Sequence, residues 1–201
     1  MQQSFDTNTE NVHIEKMIQS LDVGGLPDNS EIEWLKEHFV IKKTAKKEQL
    51  LAKGQVCRCL YFVVKGCLHT YYTTDKGEEF TRCIALEKSF CWSIPSFLKQ
   101  TPATENIESL TESELLVIDH ASFLKLCQKS LWFRNSYATV LENLCIMYTE
   151  RVQNLLTLNA TERYKNLLQQ NPRIIRQLPN KTVASYLGIT QESLSRIKAA
   201  Q

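Results

Sequence analysis

Apolar residues recur at helical spacing near both ends of the chain and crowd into short runs in between. Val12, Met17, Ile18 and Leu21 mark a short helix over residues 9–21. Leu26-Pro27-Asp28 reads as a turn, after which Asp28 or Ser30 caps a second helix carrying Ile32, Trp34, Leu35 and Phe39. From Val40 the texture changes. Residues 49–51, 60–64, 67–72, 79–85 and 114–118 are short stretches rich in β-branched and aromatic residues, separated by Lys53-Gly54-Gln55, Lys65-Gly66 and Asp75-Lys76-Gly77 among others. Short strands with glycine turns between them predict an antiparallel barrel or sandwich.

After Asp119 the helical pattern returns. Residues 131–158 contain no Gly or Pro and form the longest helical candidate. Written as heptads, Leu131, Ala138, Cys145 and Val152 fall at a, and Arg134, Leu141, Tyr148 and Leu155 at d; Val140, Leu144 and Met147 form a second stripe. Two apolar faces need two partners, so one docks on the β body while the other pairs with a symmetry mate. Ala138, Leu141, Cys145, Tyr148, Val152 and Leu155 are the expected interface residues. Arg134 at d leaves open a helix buried within one copy. Asn159 or Thr161 caps the next helix, with Glu162 in its first turn, and Asn171-Pro172 ends it. The predicted class is therefore α+β: an N-terminal antiparallel β-roll of jelly-roll type with flanking helices over residues 1–130, a long dimerisation helix over 131–158, and a helical unit over 159–201.

The chain has 201 residues, of which 43% are hydrophobic, enough for a real core. No apolar run approaches the ~20 residues of a membrane span. The polar stretch 1–10 lacks the apolar segment of a secretory signal, so a cytoplasmic location is expected. Seven cysteines, an odd number, then read as reduced thiols that pack as small apolar groups. Cys57-Arg58-Cys59 has the wrong spacing for common zinc sites, so no metal and no cofactor is expected. The net charge is only +2, but it is unevenly placed. Residues 159–201 hold seven basic and two acidic residues, giving +5 and leaving −3 for the remainder. A basic block on an acidic body suggests contact with a polyanion, although charge alone fits a solvated face equally well.

Residues 180–199 refine that reading. Two short helices packed across a tight turn need a small residue at the crossing, a glycine at the turn and apolar residues facing inward. Ala184, Gly188 and the set Val183, Leu187, Ile189, Leu194 and Ile197 supply them. This is a helix-turn-helix whose second helix would enter the major groove of double-stranded DNA. Thr190 caps that helix, and Gln191, Glu192, Ser195 and Arg196 face outward. Arg196 suits guanine O6 and N7, Glu192 suits cytosine N4, and Gln191 suits adenine or phosphate. Thr182, Thr190, Ser193, Lys198 and the first amides of the helix would hold the DNA backbone.

The order of roll, long helix, hinge and Val183-Ala184-Ser185-Tyr186-Leu187-Gly188-Ile189-Thr190-Gln191-Glu192-Ser193-Leu194-Ser195-Arg196 resembles the Crp–Fnr family of bacterial transcription regulators over nearly the whole chain. Leu60-Tyr61-Phe62-Val63-Val64-Lys65-Gly66 resembles the strand and turn of its cyclic-nucleotide-binding fold. The resemblance implies a homodimer on a two-fold-symmetric operator with half-sites about 34 Å apart. It implies base reading by Glu192, Ser195 and Arg196, and RNA polymerase and a small-molecule effector of unknown identity as further partners.

Two departures bear on function. Relatives that bind cyclic nucleotides hold the ribose with Gly-Glu and the phosphate with Arg-Ser or Arg-Thr. The matching stretches here place Trp92 and Ser93 at the first pair, and Ala103 and Thr104 at the second. A cyclic phosphate without a cation is poorly held, so cyclic AMP and cyclic GMP are not expected to bind. Arg82 offers a cation from a neighbouring strand, where arginines more often face solvent. The other departure is that the chain stops soon after the second helix, where most relatives continue into a β-wing; fewer phosphate contacts are expected. No catalytic triad, paired-carboxylate cluster or phosphate loop has the required spacing, so an enzyme is not expected. The alternative to a regulator is an effector-binding or protein-interaction module that has lost operator binding.

Overall fold

The computed structural model describes residues 7–21 and 25–200, and side chains from residue 11 onward; residues 1–6 of the polar N-terminal stretch lie outside it. Helix α1 (Thr7–Ser20) turns Ile14, Met17 and Ile18 into the core. Helix α2 (Asn29–His38) starts on a reciprocal cap: the Asp28 carboxylate accepts from the Glu31 amide, and Glu31 accepts from the Asp28 amide. Two donors that no helical carbonyl can reach are thereby satisfied.

The strands are β1 (Val40–Thr44), β2 (Gln49–Leu51), β3 (Cys59–Lys65), β4 (Leu68–Thr73), β5 (Glu79–Ala85), β6 (Phe90–Cys91), β7 (Asn106–Ser109) and β8 (Ser113–Asp119), with α3 (Ile94–Lys99) between β6 and β7. They form two four-stranded antiparallel sheets, ordered β1-β8-β3-β6 and β2-β7-β4-β5. Leu60, Phe62, Leu116 and Ile118 of the first share one core with Leu51, Leu68 and Ile107 of the second. The β3–β4 turn requires glycine: Gly66 has φ +98°, and a Cβ there would lie 2.7 Å from the Glu112 carbonyl oxygen. Strands β1, β6 and β7 and helix α3 went unread in the sequence, being short and without a clear period.

Helix α4 (His120–Lys129) leads into α5 (Leu131–Thr157), capped by the Ser130 hydroxyl. Phe133 sits edge-on to Phe39 and Phe123, and Tyr137, Val140, Leu141 and Leu144 pack on the roll. Val140 and Leu144 of the second stripe thus dock on the β body, and Leu141 and Tyr148 of the d positions go with them. Leu141 and Tyr148 face the roll, whereas Ala138, Cys145, Val152 and Leu156 are exposed. The expected a-and-d interface is accordingly corrected at Leu141 and Tyr148: the open face keeps Ala138, Cys145, Val152 and Leu155 (41% exposed) and adds Ile146 (58% exposed) and Leu156 (80% exposed). The cause is where the roll lies: its surface meets the middle of α5 and takes up Leu141 and Tyr148, while Arg134 and Leu155 at the two ends of the d row stay exposed.

Asn159, not Thr161, caps α6 (Ala160–Gln170), again with a reciprocal Glu162. Helices α7 (Pro172–Gln177), α8 (Asn180–Leu187) and α9 (Gln191–Ala199) complete the described chain. Their shared core of Leu167, Ile175, Val183, Leu187 and Leu194 also takes in Cys67 and Leu110 of the roll. Polar contacts fasten this unit to the edge strand β5. The Ser185 hydroxyl donates to the Glu79 carbonyl at 2.8 Å and accepts from the Thr81 amide at 2.7 Å. Lys181 pairs with Glu79, and Arg173 with Glu87, both at 3.0 Å. Two charges of the basic block are therefore directed at the acidic body of the same chain.

Candidate nucleic-acid interface and the pocket behind it

Helices α8 and α9 meet where Ala184, 2% exposed, lets the backbones approach. Gly188 ends α8 in the left-handed region at φ +67°, and the Ile189 amide bonds back to the Ala184 carbonyl at 3.0 Å. Thr190 Oγ1 then accepts from the Ser193 amide at 3.2 Å and starts α9. With Leu194 fully buried on the inner side, Gln191, Glu192, Ser195 and Arg196 stand exposed together on the outer one. Arg196 Nη2 donates to Ser193 Oγ at 3.3 Å, which leaves its other donors to solvent. The Glu192 carboxyl is held below the ordinary range, first by its own backbone amide and then by the Thr190 hydroxyl. The row therefore offers an anionic acceptor and a cationic donor one helical turn apart.

Two of the residues expected on the DNA backbone are placed otherwise. Thr182 is buried, 8% exposed, because it lies on the inward side of α8 beside Val183. Lys198 reaches back to Asn180 Oδ1 at 2.7 Å and ties the end of α9 to the start of α8. Thr190 is exposed and Ser193 half-buried at the head of α9.

The pocket residues are more altered than the sequence suggested. Trp92 and Ser93 are buried at the head of α3. Ala103 is buried in a backbone pairing with Gly54 and Gln55, and Thr104 is exposed. Arg82 is not a surface residue. Its Nε donates to Glu105 Oε2 at 2.6 Å, its Nη1 donates to the Tyr148 hydroxyl, and its guanidinium lies 5.3 Å from the Tyr148 ring centre. The Glu105 side chain is only 3% exposed. What remains between Thr70, Arg82, Trp92, Leu144 and Tyr148 is a cavity of about 10 Å³, against roughly 300–1,000 Å³ for a pocket that holds a small organic ligand.

Glu105 was missed by sequence reading, and no local signal marks it; it stands just before β7 and meets Arg82 because β5 and β7 flank β4. All seven cysteines are free thiols, and burial pushes Cys67 up to about 12.

Residues 41–130 match the cyclic nucleotide-binding domain family. The cAMP-activated global transcriptional regulator CRP of Salmonella typhimurium is 21% identical over 176 residues, covering 83% of this chain and 84% of that protein. Among solved structures, the c-di-GMP responsive global regulator CLP of Xanthomonas campestris superposes with a TM-score of 0.69 at 18% identity, covering 86% of this chain and 91% of the other. FixK2 from Bradyrhizobium japonicum gives 0.67 at 17% identity over 81% and 83% of the two chains. A CooA mutant from Carboxydothermus hydrogenoformans gives 0.68 at 18% over 92% and 83%. Among the described residues no helix is long and apolar enough to cross a membrane.

Proposed function

With the fold of the Crp–Fnr regulators and their cyclic nucleotide-binding domain as premise, we propose that this chain is a sequence-specific DNA-binding transcription regulator. It acts as a homodimer on a palindromic operator and does not answer to cyclic AMP. The observation that carries the reading is the exposed row Gln191, Glu192, Ser195 and Arg196 on a capped helix whose inner side is held by Leu194. Side chains that reach base edges must project from a rigid helix narrow enough for the major groove, and α9 has that form.

Two further observations support the finer parts. The open face of α5, with Cys145, Ile146, Val152 and Leu156 exposed, is an apolar stripe of the kind a second copy covers. The cation that a cyclic phosphate would need is present as Arg82, but Glu105 and Tyr148 already occupy it, and Trp92 fills the adjoining space. A nucleotide would have to break a buried ion pair to enter.

Selection of bound duplexes from a random pool tests the reading. The expected result is enrichment of an inverted repeat with half-sites about 34 Å apart, bound with an affinity that falls steeply with salt. Purified protein that enriches no duplex and sediments as a single chain would overturn it. Titration calorimetry with cyclic AMP tests the last clause, and saturable micromolar binding would refute it.

A further inference from the structure

Behind the junction of α5 with the helix-turn-helix lies a half-open cavity of about 80 Å³. Its polar lining is Glu150, Arg151 and Asn154 from α5 and Arg163, Asn166 and Gln170 from α6. Both arginines are held in place by neutral acceptors. Arg151 Nη2 donates to the carbonyls of Thr81 (3.1 Å) and Tyr186 (2.8 Å), and its guanidinium stacks 3.9 Å from the centre of the Tyr186 ring. Arg163 donates from Nε to the Leu187 carbonyl at 2.9 Å and from Nη1 to the Leu158 carbonyl at 2.6 Å.

Among the described residues, every ion pair of an arginine or lysine lies elsewhere, so neither guanidinium has a carboxylate partner. The side chains of Asn154, Asn166 and Gln170 make no hydrogen bond to another described residue. Glu150 is the one acid in the lining, so the wall carries two positive charges against one negative. Two fixed guanidiniums with remaining donors, flanked by three unengaged amides, are what a carboxylate or phosphate oxygen requires to leave water. A cavity needs only about 10–15 Å³ of such space to hold one water, so this one accepts an anionic head group while the open mouth lets the rest of a molecule protrude.

We propose that this cavity binds the carboxylate or phosphoryl group of a small anionic molecule, clamping α5 to α6 and α8. That it serves as the effector site of a regulator rests on the DNA-binding reading above; that it binds an anion does not. The clamp joins the α5 helix to the unit that carries α9, so an occupant would bias how that unit sits, whereas the pocket inside the roll is closed by its own side chains.

The test is calorimetric titration of the full chain, without DNA, with inorganic phosphate and separately with succinate, in chloride buffer at constant ionic strength. Saturable binding at one site per chain is expected for at least one of them, and which one identifies the head group. Arg163→Gln should weaken it at least about tenfold through loss of a charged donor, whereas Arg176→Gln, an equal change of charge at an exposed position of α7, should not. Asn166→Glu places a tethered carboxylate in the cavity, keeps both arginines, and should abolish binding in a chain whose circular dichroism is unchanged. No saturation with either anion, or an affinity that both cavity variants leave within about threefold, would overturn the proposal.

Discussion

The helix-turn-helix and the closed pocket of the roll each carry an arginine, and they treat it in opposite ways. Arg196 projects from α9 with one weak hydrogen bond to Ser193 and most of its donors in water. Arg82 is enclosed, with Glu105 and Tyr148 taking its donors. In the first region, shape comes from short-range rules (a cap, a glycine turn, a small crossing residue), and chemistry is added on the outside. In the second, shape and chemistry are the same side chains, so a few substitutions far apart in sequence close a binding pocket and leave the fold standing. A family resemblance therefore carries more weight for α9 than for the pocket.

Breaking the enclosed pair should have the largest effect on the chain itself. Glu105→Gln leaves Arg82 without its counter-charge, and removal of one member of a buried pair costs about 3–5 kcal/mol. Because the Arg82 side chain is 18% exposed, the low end of that range is expected in urea denaturation. A loss below about 0.5 kcal/mol, the size of an ordinary surface change, would mean that the pair does not hold the pocket shut. Cyclic AMP is still not expected to bind the variant, since Trp92 keeps its place. On the open face of α5, Val152→Glu should cost about 2 kcal/mol or more of association by burying a carboxylate without a partner. Sedimentation at micromolar concentration would then show single chains with unchanged helix content; a variant that remains dimeric would move the interface elsewhere. Arg196→Ala should cost about 1–3 kcal/mol of operator affinity and relax preference at one base pair of each half-site. Equal loss on all duplexes would assign Arg196 to phosphate.

The same contrast governs what could be read from the chain. The helix-turn-helix was legible because Ala184, Gly188, Thr190 and Leu194 lie within eleven residues and each satisfies a local requirement. Strand β5 was legible to the residue, since its flanking turns carry their own chemistry. That Trp92, Ser93 and Ala103 differ from the residues expected of a nucleotide binder was legible by comparison with the resembled family's pattern, but the ion pair that fills the space beside them was not. Arg82 and Glu105 are 23 residues apart, and nothing in the sequence says that β4 will lie between their strands. Helix α7 was not legible, because six residues opening on Pro172 show no period. Leu141 and Tyr148 depart from the heptad expectation for α5 because a heptad count does not show which side the roll covers, whereas Leu155 stays on the open face.

The smallest expected effect divides shape from reading most directly. Thr190→Ala removes the hydroxyl that accepts from the Ser193 amide at 3.2 Å. Loss of such a cap costs about 0.5–2 kcal/mol, typically near 1. Here Thr190 is exposed, so water replaces part of the bond and a loss of about 1 kcal/mol or less is expected in thermal or urea unfolding. Operator binding should weaken by a similar factor on every sequence, because a frayed first turn misplaces Gln191 and Glu192 together without altering what either can bind. Preference between base pairs should stay as it was, in contrast to Arg196→Ala. If Thr190→Ala instead altered preference at one position and spared stability, the cap would itself be reading a base, and the separation between a scaffold set by local rules and chemistry carried on its outer face would fail at the cap of α9.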